Sequence, residues 1–249
     1  MYIKIRDDVL FRQYDEYGYI TDNSEFGYRM LNDNRPIRGE KFVSQSGAVM
    51  LSVLEKYPKH IDDIVDELSK IFIGVDNETL KADTIDFFQY FLDEGYLSVG
   101  ETPEECQDKK FSEENNNYGM EQSMSKISTD DCVKNIFKVN EFLRSIHIEV
   151  ANACNERCVH CYIPHEYKNS VIDGDLFYKI IEIGRKMNII HVTLSGGEPL
   201  LHKDIIGFLE KCRKMDLSVN VLSNLTVLND EIIAEMKKNP LLSVQTSIY

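Results

Sequence analysis

Three cysteines lie within eight residues of one another, in the segment CNERCVHC that contains Cys154, Cys158 and Cys161. Three thiolates on one short loop can bind three corners of a cubane iron–sulfur cluster and leave the fourth iron open, whereas fully ligated clusters of electron carriers use four cysteines. The triplet is also compatible with a zinc knuckle in which His160 or His165 is the fourth ligand. From the triplet alone, both kinds of metal site stay possible.

A glycine pair followed by glutamate and proline is the second chemical signal. Gly196, Gly197 and Glu198 come directly after a segment of strand character, Thr193–Ser195. Paired glycines let a backbone approach a ligand closely, and the Glu198 carboxylate offers a partner to a cation. Gly-Gly-Glu-Pro is equally the sequence of a tight turn before a helix. It therefore becomes specific only together with the cysteines.

An alternation of strands and helices is predicted to position both signals. Predicted strands at 146–151, 189–195, 217–224 and 241–249 alternate with predicted helices at 173–187, 202–215 and 229–238. The strands are short, β-branched and apolar on both faces, as in a parallel sheet covered by helices. The cysteines and the glycine pair then follow the first and second strands, at the sheet edge where α/β barrels place their chemistry.

The first hundred residues predict a different, α+β unit. Residues 2–6 and 17–20 have strand character, and the second segment can return as a hairpin partner. Helices are predicted at about 46–56, 61–72 and 78–94, followed by a strand at 96–99. This order is winged-helix-like. Residues 101–140 are polar and poorly periodic, so we interpret them as a linker before the unit at 141–249.

Charge and composition limit the partners and the compartment. The net charge is −14, and residues 1–100 hold 19 Asp and Glu against 11 Lys and Arg, which disfavours nucleic acid as a partner. The N-terminus lacks the apolar core of a signal peptide, and no stretch is long and apolar enough to span a membrane. Clustered cysteines then indicate metal or cluster ligation in a reducing compartment, which predicts the cytoplasm.

The cysteine triplet and the Gly-Gly-Glu-Pro turn together resemble the radical S-adenosylmethionine (SAM) superfamily. Its signature is CxxxCxxC after the first barrel strand and a GGEP-like turn after the second, and both are present here in that order. The resemblance implies that Cys154, Cys158 and Cys161 bind a [4Fe–4S] cluster whose open iron chelates SAM. It also implies SAM contacts from six further residues: His160 near the adenine, Gly196, Gly197 and Glu198 at the methionyl amino group, and Asn224 and Ser247 at the ribose or carboxylate. For Asn224 and Ser247, simple capping roles are an equal alternative.

The first unit resembles, in the order of its elements, the peptide-recognition domain found in radical SAM peptide maturases, which is similar to the small chaperone of pyrroloquinoline quinone biosynthesis. Tyr162, after the last cysteine, also looks like the peptide-modifying branch of the superfamily. The resemblance implies a ribosomally made precursor peptide whose leader adds as a strand to residues 1–100. It further implies an electron donor such as a flavodoxin or ferredoxin. The alternatives are a radical SAM enzyme acting on a small molecule and a non-catalytic, peptide-binding or zinc-stabilised interaction protein.

The barrel of the superfamily has six βα units, and this sequence reaches the fourth strand. We therefore expect the first half of a parallel (βα)6 partial barrel. We expect this chain to be either a fragment of a longer enzyme or one that a second polypeptide completes.

Overall fold

The computed structural model describes residues 1–22, 38–108 and 143–246. The described residues belong to two compact units, the first formed by 1–22 and 38–108 and the second by 143–246. Ser247 and residues 109–140 of the predicted linker lie outside the described residues. None of the helices in the described ranges has the length and apolar character that crossing a membrane requires.

The first unit combines two small antiparallel sheets with three helices. In chain order its elements are β1 (Tyr2–Ile5), β2 (Leu10–Gln13), β3 (Tyr17–Thr21), β4 (Glu40–Ser44), α1 (Gln45–Ser52), β5 (Lys59–His60), α2 (Ile61–Ser69), α3 (Asn77–Asp93) and β6 (Leu97–Gly100). One sheet has the order β2-β3-β4 and the other the order β5-β1-β6. The hairpin partner of β3 is β2, while β1 pairs with the distant β6. The predicted winged-helix-like α+β order is confirmed, but the predicted hairpin between residues 2–6 and 17–20 is wrong, because β1 pairs with β5 and β6 instead.

Caps and apolar faces explain the helices of this unit. The Asp76 carboxylate accepts a 2.9 Å hydrogen bond from the Thr79 N–H and so starts α3, satisfying one of the unpaired N–H groups of its first turn. Ile64 and Leu68 on α2 are fully buried, as is Phe88 on α3. The two helices therefore bury one face each in the core of the unit, as the apolar periodicity predicted.

A buried group of charges holds the connection between β1 and β2. The Arg38 guanidinium lies 2.6 Å from the Asp8 carboxylate, and Arg6 lies 3.1 Å from the same group. The Asp22 carboxylate accepts a hydrogen bond from the Arg38 main-chain N–H at 2.8 Å. Burial raises the pKa of Asp8, but the charges of Arg38 and Arg6 outweigh it and hold that pKa below its usual range. The group thus stabilises the unit only while Asp8 is ionised.

Residues 101–108 pack on the first unit. Cys106 is fully buried, and its thiol donates to the Ser98 carbonyl. The Asp108 carboxylate lies 3.1 Å from the Lys4 ammonium and accepts a hydrogen bond from the Asp7 N–H at 2.8 Å. The first unit therefore extends to Asp108 at least.

The second unit is a four-stranded parallel sheet with helices in the connections between the strands. Its elements are β7 (Ser145–Ala151), α4 (Gly174–Lys186), β8 (His191–Gly196), α5 (Ile205–Lys214), β9 (Ser218–Leu222), α6 (Asp230–Met236) and β10 (Leu242–Gln245). The strand order is β10-β9-β8-β7, so each strand lies beside its neighbour in sequence. The core lies between sheet and helices, where the rings of Phe177 and Phe208 stack at 3.8 Å. The predicted α/β class and the strand–helix alternation are confirmed.

Candidate active site

The cysteine loop begins where β7 ends and returns to the same point. The N–H groups of Asn152 and Ala153 both donate to the Ser170 carbonyl, at 2.8 and 3.2 Å. Two residues on, the Ile172 N–H donates to the Val150 carbonyl at 2.9 Å. These bonds close the base of the loop, residues 152–172, at the carboxyl end of the strand.

The glycine turn after β8 holds the base of this loop. The N–H of Gly197 donates to the Ala151 carbonyl at 2.6 Å, and the N–H of Glu198 donates to the Ala153 carbonyl at 2.9 Å. Gly196 has φ +122°, and a Cβ added to it would overlap the Ala151 carbonyl oxygen. A Cβ on Gly197 would lie 2.5 Å from the Ala153 oxygen. Glycine is required at both positions because two backbone segments touch there.

Glu198 is fully buried and hydrogen-bonded by groups of this chain. Its Oε1 accepts from the Leu200 N–H at 2.9 Å and from the Ser223 hydroxyl at 2.7 Å. Its Oε2 accepts from the Asn224 main-chain N–H at 2.7 Å. These three hydrogen bonds offset the cost of burying a carboxylate. The carboxylate thereby joins the turn after β8 to the end of β9.

Asn224 connects the end of β9 to the cysteine loop. Its side-chain amide donates to Asn155 Oδ1 at 3.1 Å and lies 3.9 Å from the Sγ atom of Cys154. The Glu156 N–H lies 3.4 Å from the same sulfur. The structure therefore brings Cys154, the glycine turn and Asn224 together at one edge of the sheet.

The three loop cysteines differ from the two other described cysteines in exposure. Cys158 is exposed and Cys154 and Cys161 are half-buried, whereas Cys106 and Cys212 are buried, and all five are free thiols. Burial raises the pKa of Cys212 to about 12, so that side chain stays a neutral thiol. Among the five described cysteines, the three in the loop thus combine access with the free thiol that a cluster ligand needs.

The donor set fits a cubane cluster. Within the described ranges, no three His, Cys, Asp or Glu side chains are placed to bind a single metal ion. A cubane attaches each thiolate to a different iron, so its ligands need not converge on one point. Three accessible thiols on a loop whose base is held by backbone hydrogen bonds match that requirement. They would hold the cluster with one iron unligated by protein.

His160 and Tyr162 flank Cys161 in the loop. His160, whose backbone is predicted to lie near adenine, has an exposed side chain. The Tyr162 hydroxyl donates to Glu149 Oε1 at 3.0 Å, and partial burial together with this carboxylate raises the pKa of Tyr162 to about 12. Sequence reasoning missed Glu149 and Asn155. A carboxylate near the end of a strand rich in apolar residues was the available signal for Glu149.

Two family models match the chain, one for each unit. Residues 148–248 match the radical SAM superfamily, and residues 39–97 match coenzyme PQQ synthesis protein D (PqqD). The first match begins within β7 and covers the cysteine loop and the glycine turn. The second begins at β4 and ends at β6.

Curated relatives are similar over part of their length. The chain is 29% identical over 85 residues to the GTP 3′,8-cyclase of Thermodesulfovibrio yellowstonii, which covers 31% of this chain and 26% of that relative. It is 28% identical over 78 residues to the PqqA peptide cyclase of Methylorubrum extorquens, covering 30% of this chain and 20% of the relative. The match thus spans about a quarter or less of each relative.

The fold of the whole chain resembles a solved structure. The structure of SuiB of Streptococcus suis bound to precursor peptide SuiA matches with a TM-score of 0.52 at 14% identity, covering 98% of this chain and 47% of that one. The likeness extends over both units and supports the fold. The two family matches show that this chain carries a radical SAM domain and, before it, a PqqD-like domain.

Proposed function

We propose that this chain belongs to a peptide maturase that uses a [4Fe–4S] cluster to cleave SAM and modify a ribosomally synthesised precursor peptide. The observation that carries the proposal is the convergence of the Cys154–Cys161 loop, the Gly196–Glu198 turn and Asn224, in a chain that also holds a PqqD-like unit. When bound, the reduced cluster supplies an electron that splits SAM into methionine and a 5′-deoxyadenosyl radical.

The residues of the site would act by binding and orientation. Cys154, Cys158 and Cys161 would hold the cluster on an anchored loop. The N–H groups of Gly197 and Glu198 are engaged with that loop, so the carbonyl oxygens of the turn are the acceptors suited to the methionyl ammonium of SAM. His160, Asn224 and Ser247 complete the proposed SAM contacts.

The first unit would bind the leader of the precursor at the β4 edge of its β2-β3-β4 sheet. An extended leader would add there as a strand, with β3 on the opposite side of β4. α3 reaches this edge, because the Lys41 ammonium lies 2.9 Å from Glu94 Oε2 and 5.2 Å from the centre of the Tyr90 ring. The names of two similar proteins, PqqA peptide cyclase and SuiB bound to precursor peptide SuiA, support a peptide substrate.

We further propose a compartment, an electron donor and a class of excluded partner for the reaction. Thiolates that bind a cluster need a reducing compartment, so we place the protein in the cytoplasm. A flavodoxin or a ferredoxin would deliver the electron. The acidic first unit disfavours nucleic acid as a partner.

Anaerobic reconstitution with iron and sulfide tests the radical SAM part of the proposal. We expect about four irons with sulfide per chain, and loss of the cluster in Cys158→Ala. Cys106→Ala, which changes a buried cysteine of the first unit, should keep the full complement. One zinc per chain, with neither iron nor sulfide retained, would instead favour the zinc-stabilised interaction protein.

Fluorescence anisotropy with labelled precursor leaders tests the peptide part. Peptides encoded beside this gene should bind the full chain, and Tyr90→Ala combined with Lys41→Ala should weaken binding at least fivefold, because both side chains flank the β4 edge. Lys81→Ala, on the same helix but paired with Asp62 on α2, is the matched control. An absence of binding by every such peptide would favour radical chemistry on a small molecule.

A further inference from the structure

We propose that Glu198 is a positioning residue: its carboxylate fixes Asn224, whose side-chain amide donates to the Cys154 sulfur and so tunes the cluster. The inference rests on the proposed function, since it concerns a cluster bound by Cys154. It replaces a direct contact between the Glu198 carboxylate and the SAM ammonium with a contact through the main chain of the turn.

The Glu198 carboxylate is buried and hydrogen-bonded within this chain. It has no exposed surface, and it accepts hydrogen bonds from Leu200, Ser223 and Asn224 at 2.7–2.9 Å. An ammonium group could reach either oxygen only if the protein groups packed around the buried carboxylate moved apart. Breaking a satisfied buried network costs more than it returns, because the displaced donor is left without a partner. The side chain is therefore built to hold protein groups together.

The orientation of the Asn224 amide is fixed by Thr226. Both the N–H and the hydroxyl of Thr226 donate to Asn224 Oδ1, at 2.9 and 2.7 Å. Two donors at this atom identify it as the oxygen, so the NH2 group faces the other way. There it meets Asn155 Oδ1 at 3.1 Å and Cys154 Sγ at 3.9 Å. The amide can present only a donor to the sulfur.

A strained backbone conformation follows directly after Asn224. Leu225 has φ +61°, a conformation that costs a bulky residue free energy and persists only where the surroundings hold it. Its N–H donates to the Ser223 hydroxyl at 2.9 Å, and its side chain packs against the core of the second unit. The Ser223 hydroxyl in turn donates to Glu198. The carboxylate, the strained turn and the amide thus form one connected arrangement.

The consequence for a bound cluster is electrostatic. A donor beside a cysteine sulfur stabilises the extra negative charge of the reduced cluster, and hydrogen bonds to sulfur are among the factors that set the potential of such clusters. Removing the donor should therefore make the midpoint potential more negative. Asn224 would tune the cluster without coordinating it.

The test is a redox titration of the reconstituted full chain, monitored by electron paramagnetic resonance in the absence of SAM. Asn224→Asp keeps an acceptor for Thr226 but replaces the donor at Cys154, so we expect a more negative midpoint potential. Glu198→Gln, which mispairs one of the donors that hold Asn224, should shift the potential in the same direction by less. Glu182→Gln, an exposed carboxylate on α4 that pairs with Lys211, is the matched control and should leave the potential unchanged.

SAM binding, followed by the change it causes in the same spectrum, separates the two roles of Glu198. The positioning role predicts that Glu198→Gln keeps SAM affinity within about threefold. A tenfold or larger loss of affinity with an unchanged potential would overturn the inference, as would an unchanged potential in Asn224→Asp. If Glu198→Gln does not fold, Asn224→Asp alone decides. A wild-type chain that binds no cluster at all would instead refute the proposed function.

Discussion

The N–H of Gly197 donates to the carbonyl of Ala151 at 2.6 Å. The backbone that follows β8 is therefore hydrogen-bonded directly to the last residue of β7, where the cysteine loop begins. This bond places two backbones in contact where Gly196 has φ +122°. The position of the loop therefore depends on the absence of a side chain at one residue of the neighbouring strand.

Gly196→Ala should destabilise the second unit by about 3 kcal/mol or more, because it adds a strained φ and a Cβ that overlaps the Ala151 oxygen. Urea unfolding followed by circular dichroism measures the change. Gly74→Ala is the control for φ alone: Gly74 has φ +89° with no atom within 4 Å of an added Cβ, so it should cost only about 1 kcal/mol. Equal costs for the two variants would contradict the close backbone contact.

The reactivity of the thiols is the second prediction. Under native conditions iodoacetamide should label Cys154, Cys158 and Cys161 within minutes, while Cys106 and Cys212 react only after unfolding, because burial raises the pKa of both and blocks access. Peptide mass spectrometry of the labelled chain gives the result residue by residue. Reconstitution with iron and sulfide should protect the three loop cysteines together. Protection of one or two of them alone would argue against a three-cysteine cluster.

The buried ion pair of Asp8 and Arg38 yields the third prediction, which concerns the first unit. Arg38→Met leaves the Asp8 and Asp22 carboxylates buried without this cation and should cost about 3–5 kcal/mol in the free energy of unfolding. Lys81→Met removes an exposed pair with Asp62 and should change stability little. Thermal unfolding of the two variants should therefore differ clearly, and similar melting temperatures would contradict the weight given to the buried pair.

Acid should reduce the contribution of the same ion pair to stability, because Asp8 becomes protonated. The pKa of Asp8 is lower in the folded chain than in the unfolded chain, so its contribution is complete above the unfolded value of about 3.9 and is lost as the pH falls through the folded value. Asp8→Asn should remove this part of the acid transition. A variant that kept the wild-type slope of stability below about pH 4 would show that another group is responsible.

Much of the second unit was predictable from sequence, because its signals are local. The strand–helix alternation and the positions of Cys154 and Gly196 follow from periodicity and from glycine chemistry within a few residues. The hydrogen-bond partners of the Glu198 side chain could not be predicted in this way, because Ser223 and Asn224 lie 25 and 26 residues further along the chain. The sequence alone does not distinguish a buried carboxylate that binds protein groups from one that binds a ligand. The distinction requires the position of the neighbouring strand end.

The first unit shows the same limit in its strand pairing. The character of Tyr2–Ile5 as a strand was clear, but its partners are Leu97–Gly100 and Lys59–His60, both distant in sequence. Sequence rules for hairpins pair strands that are close in sequence, so they could not predict these distant partners. The same holds for Asp108, whose contact with Lys4 made residues 101–108 part of this unit rather than the start of a linker.

The last prediction concerns His191, which is buried within the sheet beside Ser218 and Thr193. Burial, and to a lesser extent the charge of Arg144, lowers the pKa of His191 to about 4. The folded chain thus keeps the imidazole neutral while the unfolded chain protonates it below about pH 6.5. Stability should be complete above that value and fall by up to about 3 kcal/mol as the pH drops toward 4.

Urea unfolding at a series of pH values between 7 and 4.5 tests this directly. His191→Gln should flatten the dependence, whereas Ser218→Ala, which removes the hydrogen bond to Nδ1 but keeps the titrating ring, should retain it at lower overall stability. An identical slope in the wild type and in His191→Gln would mean that the imidazole is protonated in the folded state. Ser218 and Thr193 would then accommodate a buried positive charge, and a neutral His191 beside Ser218 would be wrong.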